Sequence, residues 1–178
     1  MSDNASGWGH ASAGLNQILA VGLGVEEYGI DILRVQEITG FGSVTPIPGT
    51  PIHILGVMNL RGTIVPVIDL RQRFGLPARA ADKFTVVVVV MVASRVVGLV
   101  VDGVSDVVSI TPDSIQPLPD FDIAVEQTFL TGLVRQEERL IALVDIDRVV
   151  GTLAADVLTA SNSTTSTATA VAAPAHAA

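Results

Sequence analysis

The sequence predicts an all-β protein built as two tandem five-stranded barrels, and three observations carry that expectation. Apolar residues are 49% of the 178-residue chain while aromatics are only 4%, and Val and Ile dominate its middle, a composition suited to pleated, half-buried surfaces. Short apolar runs alternate with turn signals and leave little room for long helices. The chain also resembles itself. Gly29, Ile30, Ile32, Val35, Glu37 and Ile38 match Gly98, Leu99, Val101, Val104, Asp106 and Val107 at an offset of 69 positions. Gly56, Val57, Ile64, Val65, Val67, Ile68, Asp69 and Leu70 match Gly132, Leu133, Leu140, Ile141, Leu143, Val144, Asp145 and Ile146 at an offset of 76. Any two apolar strands look alike, but the matched acids Glu37 with Asp106 and Asp69 with Asp145 argue for a true repeat. Each half is too short for a Greek-key sandwich and adequate for a small barrel. Closure would also remove the edges that a run of five valines makes hazardous.

Taken in order, residues 1–14 read as a flexible Ser/Gly/Ala start and residues 159–178 as a disordered Thr/Ala/Ser-rich tail, neither with a hydrophobic period. The folded part is then 15–158, with halves of about 15–83 and 84–158. Residues 17–24 and 27–32 read as two strands about a turn at Gly24 and Val25, followed directly by 35–38. Three prolines and a glycine make 46–51 an irregular loop. Residues 55–60 and 63–70 flank Arg61-Gly62 as a hairpin; 85–93, 95–102 and 107–110 supply three more strands, and 129–134 with 139–146 the last pair. Helical readings are confined to 70–75, capped by Asp69 and ended by Gly75, and to 147–158.

Composition removes several function classes. A net charge of −8, a single lysine (Lys83) and a pI near 4.6 repel phosphate backbones and anionic membranes, so nucleic acid is not expected as a partner. Absence of Cys excludes disulfides and thiolate chemistry. The start lacks a basic and then apolar secretory pattern, and the longest apolar run, residues 86–93, is far too short to cross a bilayer, so a cytoplasmic location without membrane insertion is expected.

Catalytic inventory is thin. His53 is the only histidine in the folded part, there is no Gly-x-Ser-x-Gly elbow, and the carboxylates lack metal-ligand spacing, so no cofactor or metal is expected. A small β-barrel enzyme acting through Asp69, Asp145 and His53 is the rival reading of a different class; capping of the turns that follow the two aspartates is the simpler account. Asn59, Leu60, Arg61 and Gly62 resist a purely structural reading, because an arginine at a hairpin tip projects an always-charged donor fork. From chemistry alone a solvated turn explains it equally well. Arg61, Arg71, Arg73 and Arg79 fall within 19 residues of an acidic chain, which suggests a local docking patch for carboxylates.

The stretches EYGIDILRVQEI (27–38), GVMNLRGTIVPVIDLR (56–71) and RVVGLVVDGVSD (95–106), with TGL (131–133), resemble the CheW family of bacterial chemotaxis coupling proteins. The resemblance implies two SH3-like or OB-like barrels around a third small core, with strands exchanged between them. It further implies a non-enzymatic adaptor that joins the cytoplasmic tip of methyl-accepting chemoreceptors to the regulatory domain of the histidine kinase CheA, with further family copies in array rings. The same module serving a twitching or developmental pathway is the alternative. Position by position, the family's partner-binding residues fall on Val35, Glu37, Gly56, Asn59, Arg61, Val86 and Val107. The PIPGTP loop and the tail depart from the family pattern.

Overall fold

The structure is a computed structural model that describes residues 16–119 and 129–151; the expected flexible start, most of the 147–158 helix and the tail lie outside the described residues. Among the described residues eleven strands and two short α-helices follow one another: β1 Asn16–Leu23, β2 Glu26–Asp31, β3 Val35–Gly40, β4 Ile54–Leu60, β5 Thr63–Asp69, α1 Leu70–Arg73, β6 Val86–Val92, β7 Arg95–Val101, β8 Gly103–Ile110, β9 Ile115–Gln116, β10 Leu130–Gln136, β11 Arg139–Val144 and α2 Ile146–Gly151. Every expected strand is present. The two-residue β9 was missed because it carries no apolar run of its own.

The strands form two sheets, ordered β8-β1-β2-β11-β10-β9 and β3-β6-β7-β5-β4. Neither matches a linear half. Strands are exchanged across the approximate division near residue 83, as the resemblance implied: β1 and β2 join the C-terminal strands, whereas β6 and β7 join β3, β4 and β5. The exchange follows from two parallel pairings, β5 with β7 and β11 with β2, because parallel neighbours cannot be joined by a hairpin.

The sequence repeat reappears as an equivalence of the two barrels. Offsetting β1, β2 and β3 by 69 gives β6, β7 and β8, and offsetting β4 and β5 by 76 gives β10 and β11. Val67 pairs with Gly98 in one barrel and its counterpart Leu143 pairs with Gly29 in the other. Bulges recur at matching places, at Gln36 and Ser105 and again at Leu55 and Thr131. The paired glycines repeat for a packing reason. A Cβ on Gly29 would lie 2.8 Å from Ile18 Cδ1 and one on Gly98 2.7 Å from Val87 Cγ1, so the interiors are filled at those points.

Strand alternation divides the core in three. Ile18 and Ala20 of β1 face a seven-residue cluster inside the first barrel, and Val87 and Val89 of β6 face a six-residue cluster inside the second. Leu19, Val21 and Leu23, with Val88, Val90 and Val92, face the other way into a shared core of nineteen buried residues. Strands buried on both faces explain the valine run. The third core, which the resemblance implied to be small, is the largest of the three, because both sheets and both helices contribute to it.

Ion pairs pin the crossovers between barrels. Asp102, between β7 and β8, accepts from Gly24 N at 2.7 Å and from Arg71 Nη1 at 2.6 Å, and the Arg71 and Asp102 side chains are only 14% and 15% exposed. At the equivalent crossover the polarity is reversed and the site more open: Arg34 reaches Asp147 at 2.9 Å, with exposures of 37% and 50%. Arg71→Ala is expected to cost about 1.5–3 kcal/mol, the scale of hydrogen bonds to a charged group away from solvent. Arg34→Ala should stay within about 1 kcal/mol. Urea unfolding of the two variants checks this, and equal losses would contradict the assignment.

Asp69 is 8% exposed and caps α1, its Oδ1 accepting from Arg71 N at 3.0 Å and its Oδ2 from Gln72 Nε2 at 3.0 Å; Gly75 follows with φ +74°, as the stop signal requires. Buried Gln72 Oε1 has no partner among the described residues, so an amide flip would let it accept from an asparagine at 69. Asp69→Asn should therefore retain the melting curve, whereas Asp69→Ala should lose about 0.5–2 kcal/mol. Equal losses in the two variants would show that charge, not cap geometry, is what the site needs.

Candidate functional site

β4 and β5 meet in a two-residue turn in which Arg61 has φ +50° and Gly62 φ +86°. Left-handed backbone at the first of these positions is uncommon for a side chain as long as arginine's, and the turn is held by Asn59, whose Oδ1 accepts from Gly62 N at 2.8 Å. The strained tip aims Arg61 across the end of the second barrel. There its Nη2 donates to Glu37 Oε2 at 2.6 Å. Glu37 lies on β3 and Arg61 follows β4, the two edges of the hydrogen-bonded order, so the pair spans the barrel's open side. Arg61 is 77% exposed and Glu37 27%. Beneath them a cavity of about 240 Å³ is floored by Leu60, Val65, Val89 and Val96.

The other expected partner-binding residues sit differently. Val35 shares β3 with Glu37 but is half-buried and packs on the shared core. Val86, also half-buried on that core, pairs with Gly40 at the far end of the β3–β6 ladder, whereas Val35 pairs with Val90. Val107 is 49% exposed on β8 of the first barrel, and its repeat counterpart Ile38 is 44% exposed on β3. Ile38 was overlooked, although the repeat pointed to it. Gly56 is buried with φ +139°, and a Cβ there would fall 2.0 Å from Thr45 O; it acts through close backbone approach and presents no surface of its own. The structure thus brings Glu37, Asn59 and Arg61 together and leaves Val35, Val86 and Val107 spread along the two edge ladders.

The expected arginine patch does not form. Arg71 is committed to Asp102 and to Pro77 O, Arg79 to Asp82 and Asp102. Arg73 donates to Val149 O and lies 4.5 Å over the Phe129 ring. Arg71, Arg73 and Arg79 tie elements together away from the Arg61–Glu37 pair, and Arg61 is 77% exposed against 50% for Arg79 and 14% for Arg71. The carboxylates of the enzyme reading are similarly engaged: Asp145 accepts from Arg148 N at 3.1 Å and pairs with Arg148 at 3.2 Å, in a different barrel from Asp69. His53 O accepts from Asp69 N at 2.8 Å, a backbone bond that ties the start of β4 to the end of β5.

A charged network in the first barrel was also missed. Arg139 reaches Glu27 at 3.2 Å and Asp106 at 3.1 Å, and Ser105 Oγ donates to Glu27 Oε1 at 2.9 Å. The hydrogen bond to Asp106, then the field of Glu27, hold the Arg139 guanidinium above its ordinary pKa. Glu37 and Asp106 each hold an arginine, but the two arginines come from non-equivalent positions.

Comparison with known proteins agrees with this architecture. The family described as CheW-like domain matches residues 17–154. A chemotaxis protein CheW of Klebsiella aerogenes is 52% identical over 134 residues, covering 75% of this chain and 81% of that one. One from Rhizobium meliloti is 39% identical over 140 residues, covering 79% and 90%. The crystal structure of the scaffolding protein TtCheW from Thermoanaerobacter tengcongensis superposes with a TM-score of 0.70 at 35% identity, over 75% of this chain and 90% of that one. Exchanged strands, the repeated barrel and these matches lead to one conclusion: the chain belongs to the CheW family.

Proposed function

We propose that this chain is a cytoplasmic, non-enzymatic adaptor that couples methyl-accepting chemoreceptors to the histidine kinase CheA, with Glu37, Asn59 and Arg61 at the centre of its docking surface and Val35, Gly56, Val86 and Val107 supporting it. The single observation that carries the reading is the exposed Arg61–Glu37 pair over an apolar floor, in a molecule whose other candidate acids serve as caps and inter-element ties. An exposed ion pair contributes only about 0.2–1 kcal/mol to folding. Its larger consequence is in recognition, where charge complementarity sets specificity and encounter rate. Two barrels with separate ends offer non-overlapping sites, so a helical receptor tip and a kinase domain can be held at once. Small interfaces of this kind gain strength by acting together in an array.

Co-sedimentation of the purified chain with receptor-bearing membranes and kinase, with autophosphorylation read in the same sample, tests the proposal. Wild type should enter one complex and raise receptor-controlled kinase output. Arg61→Ala should lose coupling with its melting temperature within a few degrees of wild type, and Arg79→Ala should couple normally. Glu37→Arg combined with Arg61→Glu should recover part of what each single change loses. Competition between receptor and kinase for the chain, or kinase output indifferent to it, would refute the adaptor reading.

A further inference from the structure

Between β3 and β4 the chain runs through residues 41–53, and this connection carries an unusual surface. In a chain of net charge −8, residues 38–60 contain no Asp, Glu, Lys or Arg. None of residues 41–53 is buried, so the lack of charge is not a demand of the core. Ile52 is 82% exposed, and Pro46 and Pro48 are exposed as well. The connection is also fixed in place. Thr45 and Val57 exchange both backbone bonds, at 2.8 and 2.9 Å, so the chain crosses the outer edge of β4 as a strap. Gly56 leaves room for that crossing, because a Cβ there would strike Thr45 O. Beyond it Gly49 turns at φ +79°, Thr50 Oγ1 donates to Ile47 O at 2.8 Å, and bonds from Ile54 N to Pro51 O and from Asp69 N to His53 O close the return. Its prolines leave little more to be ordered on binding. The strap precedes β4 and the Arg61 turn follows it, so the two lie at opposite ends of that strand.

A rigid, exposed and uncharged segment has the composition of an interface centre, where charged residues are depleted. The lack of charge also selects the occupant. Outward faces of a soluble helical hairpin carry charged side chains, and the strap holds no group to pair with them once water is removed. A folded domain can offer an apolar recess to one projecting side chain. Resting on the adaptor reading, we infer that residues 44–52 form a second docking surface, remote from Arg61, that seats Ile52 in an uncharged recess on the regulatory domain of the kinase.

Ile52→Glu places a charge on the strap at a position already in solvent, and melting temperatures verify that the variant is folded as wild type is. Each protein is titrated calorimetrically with the purified kinase regulatory domain and, separately, with a receptor cytoplasmic fragment. Ile52→Glu should lose about tenfold or more in affinity for the kinase domain and stay within about threefold of wild type for the receptor fragment. Ile52→Ala should lose about fivefold for the kinase domain, by the same factor at low and high NaCl, because no charge is removed. Wild-type affinity of Ile52→Glu for the kinase domain overturns the strap surface and leaves the adaptor reading standing. A loss for the receptor fragment as large as that for the kinase domain overturns the choice of occupant, and an Ile52→Ala loss that changes with salt contradicts an uncharged recess. A wild-type protein that binds neither partner overturns the adaptor reading itself.

Discussion

Nineteen buried side chains drawn from both sheets form the shared core between the barrels, and the positions of all other elements follow from it. Each barrel alone encloses only seven or six buried residues, too little to offset the ordering of its own backbone. Both therefore depend on β1 and β6, whose two faces serve two cores at once. The chain crosses from the first sheet to the second after β2 and returns after β7, so the second barrel is the continuous segment from β3 to β7 and is inserted into the first, whose strands come from both ends of the folded chain.

Near-symmetry of the fold gives its asymmetries meaning. Bulges, interior glycines, parallel pairings and helix-capping acids repeat from one half to the other, and repetition of that kind marks what the backbone requires. Three features do not repeat. The crossover ion pair is buried with arginine on the helix in one half and exposed with aspartate on the helix in the other. The first barrel carries the Glu27–Arg139–Asp106 network, whereas the second is bridged by the Arg61–Glu37 pair. The hairpin tip at Arg61 corresponds to Glu137, also left-handed at φ +56° but of opposite charge. Such differences are where one half can meet a partner that the other half cannot.

Much of the fold was legible because it rests on local signals: period-2 burial, glycine turns and aspartate before a short helix each specify an element without reference to the rest of the chain. The repeat added long-range information, since matched glycines and acids anticipate matched packing. What it could not supply was sheet membership. Parallel pairing of Val67 with Gly98 and of Leu143 with Gly29 leaves no trace in either strand's own pattern, so the exchange of strands across the approximate division near residue 83 was legible only through the family resemblance. At the site, the Glu37–Arg61 contact was foreseeable from opposite charges on a shared resemblance block. The commitment of Arg71 and Arg73 to structural ties was not, because their partners Asp102, Val149 and Phe129 are identified only by the tertiary fold.

Native-state amide hydrogen exchange, followed residue by residue at low denaturant, tests most directly whether the shared core makes two barrels one folding unit. The account predicts that the interior amides of β1 and β6, together with those of β5, β7 and β11, exchange only through a single global opening with one common free energy. Separate openings, with the amides of β3, β4 and β5 exchanging at a distinctly lower free energy than those of β1, β8 and β10, would show that each barrel is stable on its own and would contradict it.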